Sequence, residues 1–244
     1  MWPPMPQRKM GDLEGGAAPL YPTMLESPEL RWAFIRKVYS ILAVQLLVTV
    51  AVASLVVFVD PIPRFFTTTS AGLGLYIFTI IFPFLMLCPL FYYHQTHPLN
   101  YVLLGLFTIG ISFAVGLTCA FSKGRVILEA VILAAVAVVS LTLYTFWAAR
   151  RGKDFSKVGP LLFSALIILI VFGIIQLFFP MGRIGLMVYG TIGALIFCGY
   201  IIYDTDNLIK RHTYDEYIWA AIALYLDVIN LFLLLLTLFS ASES

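Results

Sequence analysis

Two aspartates lie in apolar segments, where a carboxylate is costly and therefore informative. Asp227 stands near the middle of the otherwise uncharged apolar run 217–239, and Asp204 ends the preceding apolar run. A charge at the centre of a membrane helix costs about 2.5–3.5 kcal/mol on insertion scales, so such a residue is a functional candidate by default. Two carboxyl groups in one low-dielectric site resist ionising together and share a proton. Loss of that proton leaves a negative site that suits Ca²⁺, which prefers oxygen ligands.

Neighbours of the two aspartates are candidates for supporting roles. Asn230 follows Asp227 by three residues and shares its helical face. Tyr203 and Asp206 flank Asp204 in the sequence Tyr-Asp-Thr-Asp, and Asp206 is predicted to be a solvated acid at the end of a helix. A purely structural alternative is a hydrogen-bonded acid pair that locks two helices together.

Glu129 and His94 are two further candidates, each near the end of an apolar segment. Glu129 is expected in the first turn of a helix, where an anion is also favoured for purely electrostatic reasons. His94 follows the second apolar segment, and histidine titrates near neutral pH, which suits a role in tuning the site.

The composition defines the class of protein. The chain has 244 residues, of which 61% are hydrophobic and 11% are charged. An ordinary globular domain is about 25% charged, so this chain is predicted to be an integral membrane protein with the lipid bilayer as its surroundings. The net charge of +2 argues against nucleic acid as a partner. Cys88, Cys119 and Cys198 have neither metal-ligand nor disulfide spacing and are interpreted as packing residues; no cofactor is expected.

A helix needs about 20 apolar residues to cross a bilayer, and seven segments meet this requirement. They are residues 38–59, 72–92, 99–121, 126–147, 158–179, 184–203 and 217–239. The segments between them are short, so consecutive spans must be antiparallel neighbours. The predicted fold class is an all-α membrane protein, a seven-transmembrane-helix bundle.

The distribution of basic residues predicts the orientation, because cytoplasmic loops carry an excess of lysine and arginine. The N-terminal region and the loops after spans two, four and six lie on one side of such a bundle. Their basic residues are Arg8, Lys9, Arg31, Arg36, Lys37, Arg150, Arg151, Lys153, Lys157, Lys210 and Arg211. The other side has Arg64, Lys123, Arg125 and Arg183. The N-terminus is therefore predicted to be cytoplasmic. This argues against a seven-span G-protein-coupled receptor, whose N-terminus would lie outside.

The sequence leaves open a re-entrant seventh segment, which would return the C-terminus to the cytoplasm.

The first 30 residues differ from the rest of the chain. They include six prolines and the pair Gly15-Gly16, with no apolar period. We predict a disordered, proline-containing cytoplasmic tail at 1–30 and a seven-span membrane domain at 31–244.

Four short stretches resemble one protein family. They are FIRKVYSIL at 34–42, DFSK at 154–157, CGYIIYDT at 198–205 and ALYLDVINLF at 223–232. Their order and sequence resemble the Lifeguard proteins, a subgroup of the transmembrane BAX inhibitor motif-containing family, over about residues 30–240. The resemblance implies a bundle with a central seventh helix. It also implies a pH-sensitive Ca²⁺ leak from internal stores and suppression of cell death, with Ca²⁺ as the transported ion. The family's proton-sensing acids correspond to Asp204 and Asp227, which would also be the Ca²⁺ ligands, and Glu129 resembles a fourth-span acid of some members.

The resemblance leaves three functional hypotheses. The first is the proton-gated leak in the endoplasmic reticulum or Golgi, with vacuole and plasma membrane as alternatives. The second is a non-conducting regulator of anti-death or receptor proteins. The third is an intramembrane aspartyl protease. The pair Tyr203-Asp204 resembles the first aspartate motif of such enzymes, but the sequence Leu-Tyr-Leu before Asp227 differs from the second, so no enzyme is expected. Span two has no arginine where some bacterial relatives carry one, and His94 is its nearest titratable residue.

Overall fold

The computed structural model describes residues 19–243, and these residues form eight α-helices. The helices are α1 (Pro28–Phe58), α2 (Pro61–Thr68), α3 (Ser70–Tyr93), α4 (Leu99–Ala120), α5 (Gly124–Arg150), α6 (Gly159–Phe178), α7 (Gly182–Lys210) and α8 (Tyr217–Glu243). Short 3₁₀ turns at Ser156–Val158 and Tyr214–Glu216 precede α6 and α8. Seven helices, all but α2, are long and apolar enough to cross a membrane. The predicted all-α bundle of seven spans is confirmed.

The first helix and the segment before it differ from the prediction. α1 begins at Pro28, ten residues before the predicted span, because Pro28 occupies the first helical position after Ser27. Leu20 is buried in the core, and Glu26 accepts a hydrogen bond of 2.8 Å from the Tyr214 hydroxyl. The ordered domain therefore starts before residue 31. The disorder predicted for residues 1–18 lies outside the described residues.

The last helix, α8, is the centre of the bundle. It packs against α1, α4, α5 and α7, and Ile218 and Tyr225 are fully buried on it. It is continuous from Tyr217 to Glu243, whose carboxylate lies 3.0 Å from Lys123 at the far end of the bundle. The structure thus has a full-length central helix in place of the re-entrant alternative.

The two ends of the bundle are held by different contacts. At one end, which we call the basic end, Arg31 donates to the His212 carbonyl oxygen (2.6 Å). At the same end, Arg211 donates to Asp154 (2.5 Å). These bonds join the start of α1, the α5–α6 loop and the α7–α8 turn. At the opposite end, the Glu243–Lys123 pair joins the end of α8 to the start of α5.

A buried polar network fixes the rotation of α8 against α1 and α4. The Thr49 hydroxyl lies 2.8 Å from the Tyr225 hydroxyl and 3.0 Å from that of Ser112, and Gln45 Nε2 donates to Thr108 Oγ1 (3.0 Å). All five side chains are buried. Since a hydroxyl in an apolar interior needs a partner, other rotations of α8 would leave the Tyr225 hydroxyl unpaired.

Small residues bring α7 and α8 into close contact. A Cβ atom at Gly190 would stand 2.8 Å from the Leu234 carbonyl oxygen and 3.0 Å from the Leu238 backbone nitrogen. Gly105 on α4 is different, because a Cβ atom there would meet nothing within 4 Å.

Gly190→Ala is therefore expected to push α7 away from α8, since the clash is with backbone atoms that cannot rotate away. We expect a loss of about 1–3 kcal/mol in the free energy of unfolding, as overpacking of a tight interface typically causes. Thermal unfolding of the purified protein measures it. Gly105→Ala is the matched control and should be neutral or stabilising by up to about 1 kcal/mol through helix propensity. Equal effects of the two substitutions would contradict the close contact.

Candidate functional site

Asp204 and Asp227 face each other between α7 and α8. The two helices are antiparallel neighbours joined by the turn at residues 211–216, in which Thr213 and Glu216 form a capping box. Asp204 lies six residues before the end of α7, and Asp227 lies ten residues after the start of α8. Their carboxyl groups are within hydrogen-bonding reach of each other. The structure thus brings together the two acids that the sequence singled out.

The carboxyl group of Asp227 is poorly supplied with donors. Its residue is 4% exposed, and no N–H or hydroxyl group of the described residues donates to its Oδ2 atom. Asp204 is half-buried and also interacts with the side chain of Asn207. Since a buried carboxylate oxygen without a partner is costly, Oδ2 depends on a proton shared with Asp204 or on a cation from outside the chain.

A cavity of about 650 Å³ adjoins the pair. Most of its wall is apolar and comes from α3, α6, α7 and α8, with Phe84, Leu166, Leu169, Ile170, Phe197 and Leu233 among the lining residues. Polar groups line the rest, including Tyr189, Tyr200, Asn230, Thr118 and Thr237. Cavities of this size and mixed character are typical of ligand sites.

Asn230 is the supporting residue that the structure brings to the cavity. Its Nδ2 atom donates to the Leu226 carbonyl oxygen (2.8 Å), which leaves its amide oxygen available to the cavity. Tyr200 and Thr237 also line the cavity and were missed in the sequence. Helical spacing could have found them, because Tyr200 precedes Asp204 by one turn and Thr237 follows Asn230 by about two.

Tyr203, Glu129 and His94, which were predicted to have supporting roles, are not among the residues that line this cavity. Tyr203 packs against Gly159 at the start of α6. Glu129 accepts a hydrogen bond from Arg125 (2.9 Å) on the exposed surface of α5. His94 Nδ1 lies 2.8 Å from the Phe91 carbonyl oxygen, and its ring is near that of Trp219.

Asp206 was predicted to be solvated, and this prediction is wrong: the residue is fully buried. Its carboxylate accepts hydrogen bonds from Lys210 Nζ and from the Phe155 backbone nitrogen (3.1 Å), and Arg211 lies 3.9 Å away. Phe155 comes from the α5–α6 loop, so Asp206 ties that loop to α7. This acid is structural, and Asp204, two residues earlier, faces the opposite way.

Asp154 strengthens the same attachment of the loop to α7. Its Oδ1 atom accepts hydrogen bonds from the Ser156 backbone nitrogen (2.9 Å) and from Arg211 (2.5 Å). Both bonds favour the ionised form, and they hold the pKa of Asp154 at about 2. The loop and α7 therefore stay linked through this pair over the physiological pH range.

The donor set limits the kind of cation that the pair could hold. Among the described residues, no cluster of three or more histidine, cysteine, aspartate or glutamate side chains could hold a metal ion. Ca²⁺ takes six to eight oxygens, so two carboxyl groups and the Asn230 amide would provide only part of its shell. This is typical of a transient ion site rather than of a storage site.

These features define a class: a seven-helix membrane protein in which an acid pair on the last two helices adjoins a cavity within the bundle. Comparison with known proteins gives the family. Residues 31–244 match the family described as "Inhibitor of apoptosis-promoting Bax1", and the chain belongs to it.

Several relatives are similar over nearly the whole chain. Protein LIFEGUARD 4 of Arabidopsis thaliana is 69% identical over 230 residues, which cover 94% of this chain and 93% of the relative. Protein lifeguard 4 of Mus musculus is 39% identical, with 88% of this chain and 87% of the relative covered. The Golgi anti-apoptotic protein of Vaccinia virus (strain Lister) is 39% identical, with 89% of each chain covered. The Lifeguard resemblance is confirmed.

The two neighbouring acids of α7 should respond differently to neutralisation. Asp206→Asn leaves Lys210, whose side chain is 12% exposed, without its countercharge. Breaking such a buried pair costs about 3–5 kcal/mol, so Tm should fall by about 6–20 °C. Asp204→Asn should leave Tm little changed or raise it, because it removes a carboxylate from beside Asp227. Equal losses of Tm in the two variants would contradict this division of roles.

Proposed function

We propose that this protein is a Ca²⁺-permeable leak pathway whose gate is the Asp204–Asp227 pair. The observation that carries the proposal is the buried Asp227 carboxyl group, paired with a second acid at the wall of a cavity of about 650 Å³. Membrane-embedded carboxylates typically mark ion or proton pathways. When both protons are lost, the closed pair can hold a divalent cation, and the protons that open the gate release that cation.

Protonation of the pair is the proposed switch. With one proton, the two carboxyl groups form a charge-assisted hydrogen bond, which is about twice as strong as a neutral one. A second proton removes the charge and leaves a weaker bond between α7 and α8. Since each pH unit changes the proton activity tenfold, a small pH change shifts the balance between the closed and open arrangements.

The route from the pair towards the opposite end follows a row of polar side chains. Thr118 and Thr237 line both the cavity beside the pair and a second cavity of about 360 Å³. Ser122 and Ser240 line the second cavity as well. From Asp227 to Thr237 the path runs about 15 Å along α8, and these hydroxyls can replace part of the hydration shell of an ion.

In the resting state, contacts at the basic end form the barrier to ion movement. There Arg31 binds the His212 carbonyl oxygen and also donates to Glu26 (2.5 Å), which keeps the α7–α8 turn against α1. An ion moving from the pair towards this end must displace these contacts. The Asp204–Asp227 hydrogen bond lies about two helical turns from the α7–α8 loop at residues 211–216, so weakening this bond loosens the same loop.

The biological role that we propose is suppression of cell death by control of stored Ca²⁺. The family description and the name of the viral relative both refer to apoptosis. That relative is named as a Golgi protein, which supports an endomembrane location for this chain. The distribution of basic residues supports a cytoplasmic N-terminus. We also propose that the protein is not an enzyme.

Ca²⁺ flux into dye-loaded liposomes tests the proposal directly. The purified protein should conduct more at mildly acidic than at mildly basic pH, by up to about tenfold per pH unit if one proton controls the gate. Asp204→Asn and Asp227→Asn should each flatten this pH dependence, because an amide does not titrate.

Glu129→Gln is the control variant, since Glu129 is an acid of the same membrane domain that pairs with Arg125 at the surface. It should keep the pH response. If the folded protein shows no flux at either pH, the leak is excluded and the alternative of a non-conducting regulator is favoured. A pH response that persists in both asparagine variants would exclude this pair as the sensor.

A further inference from the structure

The cavity beside Asp204 and Asp227 has a shape and lining that a metal ion alone does not explain. It measures about 650 Å³, whereas the carboxyl groups occupy one part of its wall. Most of the remaining lining is aliphatic or aromatic. An ion and its waters gain nothing from such a surface, but an apolar chain does, at about 25 cal/mol for each Å² buried.

The cavity is accessible from the lipid-facing surface of the bundle. Phe84 on α3 and Ile170 on α6 both line it, and they are 67% and 48% exposed. An exposed apolar residue on an outer helix of a membrane bundle faces lipid. A molecule dissolved in the bilayer can therefore enter between α3 and α6 without passing through either aqueous end.

The polar part of the cavity suits a single positive charge. Oδ2 of Asp227 receives no hydrogen bond from an N–H or hydroxyl group of the described residues, although its residue is only 4% exposed. The rings of Phe197 and Tyr200 lie 5.7 Å apart and line the same cavity. Aromatic faces beside a carboxylate attract an ammonium group through cation–π contacts.

We propose that this cavity binds a membrane-borne lipophilic amine, a molecule with one ammonium group on an apolar chain. The ammonium group donates hydrogen bonds to Asp227 Oδ2 and to Asp204, and the chain lies along Leu166, Ile170 and Leu233. The amine replaces the shared proton of the pair, so the two compete. Binding shares the site of the proposed function but does not require Ca²⁺ flux.

Photo-crosslinking in lipid nanodiscs tests the proposal with defined probes. The probes are a long-chain primary alkylamine with a diazirine on its chain and the alcohol of the same chain. The amine should label peptides of α3 and α6 about tenfold more than the alcohol, equivalent to about 1.4 kcal/mol. Dodecylamine should compete for labelling and dodecanol should not. Labelling should fall as the pH is lowered, because protons then occupy the pair.

Two variants distinguish the effect of the negative charge of the acid pair on labelling from the effect of the shape of the cavity. Asp204→Asn with Asp227→Asn should reduce amine labelling to the level of the alcohol. Ala223→Phe fills the cavity one turn before Asp227 and should reduce labelling by both probes. Leu161→Phe, on the exposed surface of α6, is the control and should change neither.

Equal labelling by the amine and the alcohol in the native protein would overturn the proposal and indicate a crevice for lipid chains. Labelling that does not respond to pH would overturn the proposal too, and this measurement uses only the native protein.

The outcome of the labelling experiment does not depend on whether the protein conducts Ca²⁺. Charge-selective labelling in a protein without flux would support the amine site and reject only the proposed function, whereas flux without selective labelling would do the reverse.

Discussion

A carboxyl group in the middle of a membrane bundle must be neutralised by a proton or a cation, and the centre of this structure follows from that requirement. Asp227 is on the central helix, where water is scarce and its Oδ2 atom receives no N–H or hydroxyl donor from the described residues. Asp204 is close enough to share a proton with it. The contact between α7 and α8 therefore includes the proton or cation that occupies the pair, and this is the basis of the switch that we propose.

The rest of the bundle keeps this pair in register. The absence of side chains at Gly190 and Gly193 lets α7 approach α8 closely. Tyr225, two residues before Asp227, is held by Thr49 on the other side of the helix. α8 therefore cannot rotate without breaking this buried hydrogen bond, and Asp227 stays directed at α7. At the basic end, the buried Asp206 fixes the end of α7 to the α5–α6 loop. The acid pair is thus held between helices whose positions are fixed by other contacts.

The sequence predicted the features that depend on local composition. Apolar length identified the seven spans, and the cost of an intramembrane charge identified Asp227 and its partner. Prediction from the sequence failed where a segment distant along the chain determines the surroundings of a side chain. Asp206 looked solvated because its neighbours are polar, yet the Phe155 backbone nitrogen and Lys210 enclose it. Tyr203 was preferred to Tyr200 by adjacency to Asp204, whereas helical geometry directs the residue one turn away to the same face.

Infrared difference spectroscopy of the protonated carboxyl stretch tests whether Asp204 and Asp227 share a proton. We expect a protonated-carboxyl band at neutral pH in the native protein, which grows as the pH is lowered and decreases when a cation binds. The band should be absent from the double variant Asp204→Asn with Asp227→Asn, and Glu129→Gln should retain it. A native protein with no such band at neutral pH, or a band that survives in the double variant, would show that these two acids do not share a proton.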